Sequence, residues 1–494
     1  MKNSSTLNLG AVAAAVACVA LPTQAAEWDT SASVTPGLIY TDNVCLSADN
    51  TQDEWIGKVT PAGSVSANGA NANLNIRGAV EFNTLSNSRL ENLGCNGGSV
   101  GNRDQFAPRL NGNADAVLVE NWFYIDGRVN AYQNDITPYA NGGGDSLNTT
   151  GNTNTTYNYS VSPYVSRRFK DQAQVNLRYT WDDQYNTANV VGDNTKESAN
   201  FLLQSVPGVA NLSWGLQGDY SNVSYSDAPA AATNKDSELK SAQLNLGYQL
   251  TRVWQVNGYY GQEWNDFVSS QDKIDGTFWD TGVRWTPNSR TIVDAGIGDR
   301  FFGSAPRFSV THSHKRSTFD ASYAKTLTYD RDIRGLSDPS QPGGELPPGF
   351  DPGQTTITTS PILDERYTLG YAYQGNHTGF RVNAYQSDQT KQGASSQLIF
   401  TESTYHGISV TGNRSLSQNL SILAGAFWNE QEPKNGAVGA LRKSEQWRGM
   451  LGVQRQMSQS TNLGLNYQYT DRKSDNAFDE YTENRITLNL RIDL

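Results

Sequence analysis

Beyond its first 26 residues the sequence has no run of about 18 apolar residues, the length a helix needs to cross the hydrocarbon of a bilayer. A helical membrane span is therefore excluded. Cysteine is scarce, with Cys18, Cys45 and Cys95 the whole complement. Positive charge is also short, 38 Lys and Arg against 49 Asp and Glu, for a net charge of -11. A field of that sign disfavours nucleic acid as a partner. Histidine occurs four times, and no pattern of residues calls for a cofactor or a metal.

What is present is alternation. The closing segment places Ile486, Leu488, Leu490, Ile492 and Leu494 on one face, with Arg485, Thr487, Asn489, Arg491 and Asp493 on the other. Period-two patterning of this kind marks a strand with one apolar and one wet side. The same pattern recurs at Leu74, Ile76, Val80 and Phe82, at Val175, Leu177, Tyr179 and Trp181, and at Leu463, Leu465, Tyr467 and Tyr469. A soluble sandwich also alternates. Aromatic residues at strand ends on the apolar face, such as Trp181, Trp254, Trp428 and Tyr469, favour lipid as the apolar partner, because a bilayer takes aromatics at its interfaces. The expected fold is all-β, a transmembrane antiparallel up-and-down β-barrel.

The N-terminus suits export. Lys2, an apolar run from Leu7 to Leu21, Pro22 and the small pair Ala25–Ala26 form the layout of a cleaved secretory signal over 1–26, leaving the barrel over 27–494. Alanine at position 15 and the apolar residues after Cys18 favour cleavage over lipidation. Loss of Lys2 takes the net charge from -11 to -12. Cys45 and Cys95 then form an even pair in an exported chain, and a disulfide between them is expected.

Short turns stand near 66–69, 120, 169–171, 207–210, 250–252, 287–289, 314–316, 375–377, 416–418 and 457–460, separated by longer polar loops. Ten such turns give ten hairpins and about 22 strands, within a range of 16 to 22 because the stretch 390–415 reads as one strand or two. Bacterial barrels place short turns in the periplasm and long loops outside, so the expected location is the outer membrane. Strand patterning starts close to the cleavage site, leaving no room for an N-terminal plug and arguing against uptake driven from the inner membrane. Loop 330–361, with five prolines, either folds inward or stays an irregular surface loop.

Four segments resemble the β-barrel porin 2 family, and within it the outer-membrane proteins found with exopolysaccharide and exosortase systems. They are Val34 to Asn43, Leu118 to Gly127, Tyr164 to Phe169, and Arg485 to Leu494, whose final leucine stands where barrels often end in an aromatic. The resemblance implies a barrel that takes part in moving a surface polysaccharide across the outer membrane. Its partners would be outer-membrane lipid, the exopolysaccharide, and periplasmic or inner-membrane export components. The alternatives are a general diffusion porin for small solutes and a surface barrel whose loops bind matrix.

Phase assigns Arg77, Glu81, Asp126, Arg128, Arg178, Asp219, Asp294, Arg381, Arg485, Arg491 and Asp493 to the lumen. Such charges either pair with one another to brace the wall or steer a charged solute. Tyr124, Tyr132, Tyr259 and Tyr385 share that phase, where rings either stack on sugars or fill the wall. Catalysis is not expected. His312 and His314 flank Ser313 beside a short turn, His377 lies in another, and His406 stands alone in a strand. Asp471, Asp475, Asp479 and Glu480 lack the glycine and spacing of a calcium loop.

Overall fold

A computed structural model describes residues 26–87, 95, 106–142, 150–188, 191–226, 236–269, 271–337, 353–355, 358–392, 400–436 and 442–494. All of the expected leader except Ala26 lies outside these, as do most of 88–105 and the proline-rich 338–352.

The wall opens with β1 (Glu27–Thr41), β2 (Glu54–Asn68), β3 (Ala72–Leu85), β4 (Phe106–Val119), β5 (Phe123–Asp135), β6 (Thr153–Phe169), β7 (Ala173–Asn186) and β8 (Asp193–Ser205). It continues with β9 (Leu212–Ser226), β10 (Ser237–Gln249), β11 (Trp254–Asp266), β12 (Gly276–Asn288), β13 (Thr291–Arg300), β14 (Gly303–Ser304), β15 (Arg307–His314) and β16 (Ser317–Thr328). After the short helix α1 (Asp330–Arg334) come β17 (Ile362–Gln374), β18 (Thr378–Lys391), β19 (Phe400–Ser417), β20 (Leu420–Gly436), β21 (Ser444–Gln456), β22 (Thr461–Ser474) and β23 (Tyr481–Asp493). Of the 23 strands, β14 is a two-residue bridge in the β13–β15 connection, so 22 build the wall. Each neighbouring pair is antiparallel, and β1 pairs with β23 through Leu38↔Leu488 and Thr41↔Arg485 to close the ring. Of the stretch 390–415, which read as one strand or two, residues 390–391 end β18 and 400–415 lie in the single strand β19.

Closure follows from the solvent. A strand edge in hydrocarbon leaves amides and carbonyls unpaired at several kcal/mol each, and a ring has no edge. The tight turns at one end use left-handed backbone at Asn121, Lys170 and Lys315, and at Gly208, where φ is +78° and the missing Cβ removes the steric cost.

The two faces separate by chemistry. Leu38, Leu177, Leu244, Val410, Leu451 and Leu488 are exposed on the exterior, where lipid covers them. Toward the long-loop end the exterior carries Tyr159 against Trp181, Tyr323 against Tyr367 and Trp428 against Trp447. Toward the short turns it carries the stacked pair Trp254 and Trp285. Their polar tips have partners: Trp428 and Trp447 both donate Nε1–H to Glu445, at 2.7 and 2.8 Å, and the Tyr323 hydroxyl donates to Glu365 at 3.0 Å. These are the two aromatic girdles of a membrane barrel, and the location they fit is the outer membrane.

The disulfide joins Cys45 to Cys95 with Cα atoms 5.5 Å apart. Both sulfurs pack on a small apolar cluster of Ile39, Val44, Ile56 and Leu85 at the long-loop end.

The wall makes a direct prediction about the two phases. Leu488→Arg, on the lipid face, lowers folding stability in liposomes by about 2–4 kcal/mol, as charged side chains near the bilayer midplane do, whereas Thr487→Arg, facing the lumen, stays within about 1 kcal/mol of the parent. Urea titration followed by the heat-modifiable gel shift measures both. A second prediction concerns the bridge. Cys45→Ser leaves the gel shift intact, because every wall strand keeps its neighbours, and makes the 42–53 loop susceptible to protease under non-reducing conditions.

Candidate translocation pathway

The register places all the lumen candidates on one face. Arg77, Asn111, Asn130 and Asn158 lie opposite one another across β3 to β6. Asn200, Asp219 and Ser241 continue the same face across β8 to β10, and Asn383 and Ser409 across β18 and β19. The interior is thus mostly neutral amide and hydroxyl, with ions set into it.

Many of those ions are paired. Arg178 meets Asp126 at 2.6 Å, and Glu81 accepts from Lys58 at 3.4 Å and Asn83 at 3.3 Å. Asp219 accepts from Asn200 and Gln217, each at 2.8 Å. Arg485 grips Glu483 through Nε at 3.0 Å and Nη2 at 2.7 Å, while the Thr41 hydroxyl donates to the same carboxylate at 2.7 Å. Arg491 pairs with Asp493 at 2.8 Å in an exposed position near the short-turn rim. Arg381 lies opposite Ala372 and Thr411. Arg77 and Arg128 are exposed to the lumen.

The densest network was only partly anticipated. Asp294 accepts from Arg284 Nε at 2.9 Å and also from Arg307, which reaches Asp280 at 2.8 Å and Asn257 at 3.0 Å. Arg307 lies flat because Gly282 and Gly296 leave it room; a Cβ at either glycine would overlap its guanidinium. Alternation from Phe308 would have placed Arg307 in the lumen, so the signal existed. Lys58 and Asp280 were legible in the same way.

The four tyrosines divide. Tyr124 stacks on Tyr164 with centroids 5.0 Å apart, and Tyr259 meets Phe278 edge-on at 5.7 Å. Tyr132 and Tyr385 are buried at 4 % and 6 % exposure, Tyr385 within a cluster of Tyr139, Tyr405 and Phe427. Gly407 makes that possible, since a Cβ there would occupy the Tyr385 ring. With the inward loops seated, both rings are covered, Tyr385 by Tyr139 and with its hydroxyl donating to Gln354 at 3.3 Å.

Two long loops enter the lumen. Tyr329, 2 % exposed, donates its hydroxyl to Ser237 O at 3.1 Å and starts the inward turn. Helix α1 then seats against the β7–β9 wall. Arg331 donates to Asn194 at 2.6 Å and pairs with Asp182, Lys196 meets Asp332 at 2.6 Å, and Tyr225 donates to Asp330 at 3.2 Å. The second loop, 136–142, leaves β5 and lies against β18–β22, where Tyr139 joins the aromatic cluster and Pro138 O accepts from Arg472 at 3.1 Å. The two loops touch where Arg334 donates to Asp135 O at 3.0 Å and Ile136 O at 3.1 Å. Asn141 extends the contact to Leu46 O at 2.8 Å, beside the disulfide. Of the two courses open to loop 330–361, its described part takes the inward one. Burial in this seat pushes the Asp330 carboxyl upward from its ordinary value, against the pull of Arg334.

The histidines come together nowhere. His312, His314 and His406 fall on the exterior phase, His406 against Trp428, and His377 sits in a short turn. No group of three or more His, Cys, Asp or Glu residues suited to a metal occurs among the described residues.

No protein-family model matches this sequence, and no curated protein matches it. Solved structures do match in shape. The FrpB iron transporter from Neisseria meningitidis superposes with a TM-score of 0.53 at 9 % identity, over 94 % of this chain and 83 % of that one. A ferric enterobactin receptor mutant from Pseudomonas aeruginosa, in complex with enterobactin, gives 0.51 at 10 % identity, over 94 % and 81 %. A siderophore receptor from Acinetobacter baumannii gives 0.50 at 8 % identity, over 94 % and 80 %. What is shared is the barrel. All three are transport proteins or receptors.

The seat of α1 yields a prediction. Removing one member of a buried ion pair strands its partner and costs about 3–5 kcal/mol, so Arg331→Ala releases the helix and raises both ion conductance in planar bilayers and cleavage near 330–337. Asp330→Asn behaves oppositely. A carboxyl whose pKa is raised by docking supports the docked state fully at low pH and loses that support as pH rises through the raised value, so the amide holds the helix at neutral pH at least as firmly as the parent.

Proposed function

We propose that this protein is a loop-gated outer-membrane conduit for a hydroxyl-rich polymer, taking part in export of an exopolysaccharide. The observation that carries the reading is the lumen itself: a wall of asparagine, glutamine, serine and threonine, entered by a loop that is fastened to the opposite side by ion pairs. Side-chain amides both donate and accept, as do sugar hydroxyls, so such a wall exchanges hydrogen bonds with a sliding glycan without holding any one residue tightly. A fastened loop suits intermittent passage of a bulky chain better than free diffusion of small solutes. The resemblance carried by Val34–Asn43 and Arg485–Leu494 points the same way. Export components of the periplasm or inner membrane would meet the short-turn end of the barrel.

Deleting the gene and measuring polysaccharide in the periplasm and outside the cell tests this. Polymer retained in the periplasm with little outside is the expected result. Normal polymer in both compartments overturns the export role; a small-solute uptake defect in the same strain would then favour a diffusion pore, and poor growth on chelated iron would favour the cargo named for the shape neighbours.

A further inference from the structure

The lumen wall of β3, β4 and β5 carries a cluster of exposed cations that have no counterion among the described residues. Arg77, Arg109 and Arg128 stand on three consecutive strands, all facing the lumen and all exposed. None of them has an ion pair or hydrogen bond to another side chain among the described residues, in contrast to Arg178, Arg307 and Arg485. Nearby carboxylates are already engaged: Asp126 by Arg178, Asp115 by Asn73 at 3.0 Å, and Glu81 by Lys58. Three uncompensated guanidiniums in a protein of net charge -11 are therefore a local reversal of sign.

Their surroundings fit a carbohydrate. Asn111 lies opposite Arg77 and Asn130 opposite Asn111, and the row ends at Asn158, whose Oδ1 is buried with no partner among the described residues. A buried acceptor left open in this way costs about 1–3 kcal/mol unless a ligand or water donates to it. Closer to the short turns, half-buried Tyr124 stacks on Tyr164, whose ring carries the Arg178 guanidinium 3.9 Å from its centroid. An aromatic face takes the C–H side of a pyranose, and a planar guanidinium takes a carboxylate in two parallel hydrogen bonds.

Resting on the conduit reading above, we propose that the β3–β6 wall is a binding track for an acidic glycan, in which Arg77, Arg109 and Arg128 hold carboxylates while the asparagine row and the Tyr124–Tyr164 pair hold the sugar rings. The track selects polymer by charge. Adjacent strands are about 4.8 Å apart with a rise of about 3.3 Å per residue, and Asn113, opposite Arg128, lies four residues from Arg109, so the arginines span roughly 14 Å of the wall, enough for more than one sugar residue.

The test uses the full-length barrel in detergent, titrated calorimetrically with short oligogalacturonates and with neutral maltooligosaccharides of equal length. Oligogalacturonate binds and the neutral chain binds at least tenfold more weakly. Each charged contact is worth about a tenfold change, so the combined variant Arg77→Gln, Arg109→Gln, Arg128→Gln loses about 100-fold or more for the acidic chain and changes little for the neutral one. The matching triple lysine variant, which keeps the charge, retains most of the affinity, and the heat-modifiable gel shift confirms that both variants fold. Equal binding of acidic and neutral chains, an unchanged triple glutamine variant, or no binding of either chain overturns the track. Charge-dependent binding in a protein whose deletion leaves export normal would sink the export role alone; an export defect with charge-blind binding would sink the track alone.

Discussion

The structure depends on the pairing of β1 with β23. In hydrocarbon no water is available to an unpaired amide or carbonyl, so a sheet of this size persists only if its first strand meets its last. That contact, Leu38 against Leu488 outside and Thr41 against Arg485 inside, is what requires the end of the chain to return to its beginning. Once the ring is closed, alternation fixes everything else about the wall: one face must satisfy lipid and the other must satisfy itself.

The number of strands sets the next constraint. Barrel diameter grows with strand number, and at 22 strands the wall's own side chains cannot fill the interior. This chain answers with its loops. Helix α1 and the 136–142 segment cross from opposite sides and meet at Arg334, each anchored to the wall it reaches by polar contacts or ring packing. The anchors are side-chain contacts, some of them ion pairs, and none is a rung of the wall's own backbone ladder. The wall and its filling are thus built from different interactions, backbone hydrogen bonds in one and side-chain pairs in the other.

Much of this was legible in the sequence because strand phase is a local property. The lumen positions of Arg77, Asp126 and Arg485, and the lipid positions of Leu465 and Leu488, follow from parity alone. The Cys45–Cys95 bridge follows from an even count in an exported chain. The inward loops were not legible, because their contacts join residues far apart with no periodic signal, such as Arg334 with Asp135 and Asn141 with Leu46. The same cause explains Tyr385. Its phase gives only the face it lies on, whereas the cover over its ring comes from the return of Tyr139 across the barrel.

The central claim is that the inward helix must leave its seat for the barrel to work. Cysteines introduced at Lys196 and Asp332, whose side chains meet at 2.6 Å through the long lysine arm in the seated state, can be joined by a short bis-methanethiosulfonate that spans the gap a direct disulfide would leave and tethers the helix to the β8 wall through reducible disulfides. Polymer release from cells carrying the tethered barrel, compared before and after reductant with the parent barrel as control, measures this directly. The account predicts that release stops while the tether is closed and recovers when it is reduced. Release at the parental rate from a fully tethered barrel would contradict it.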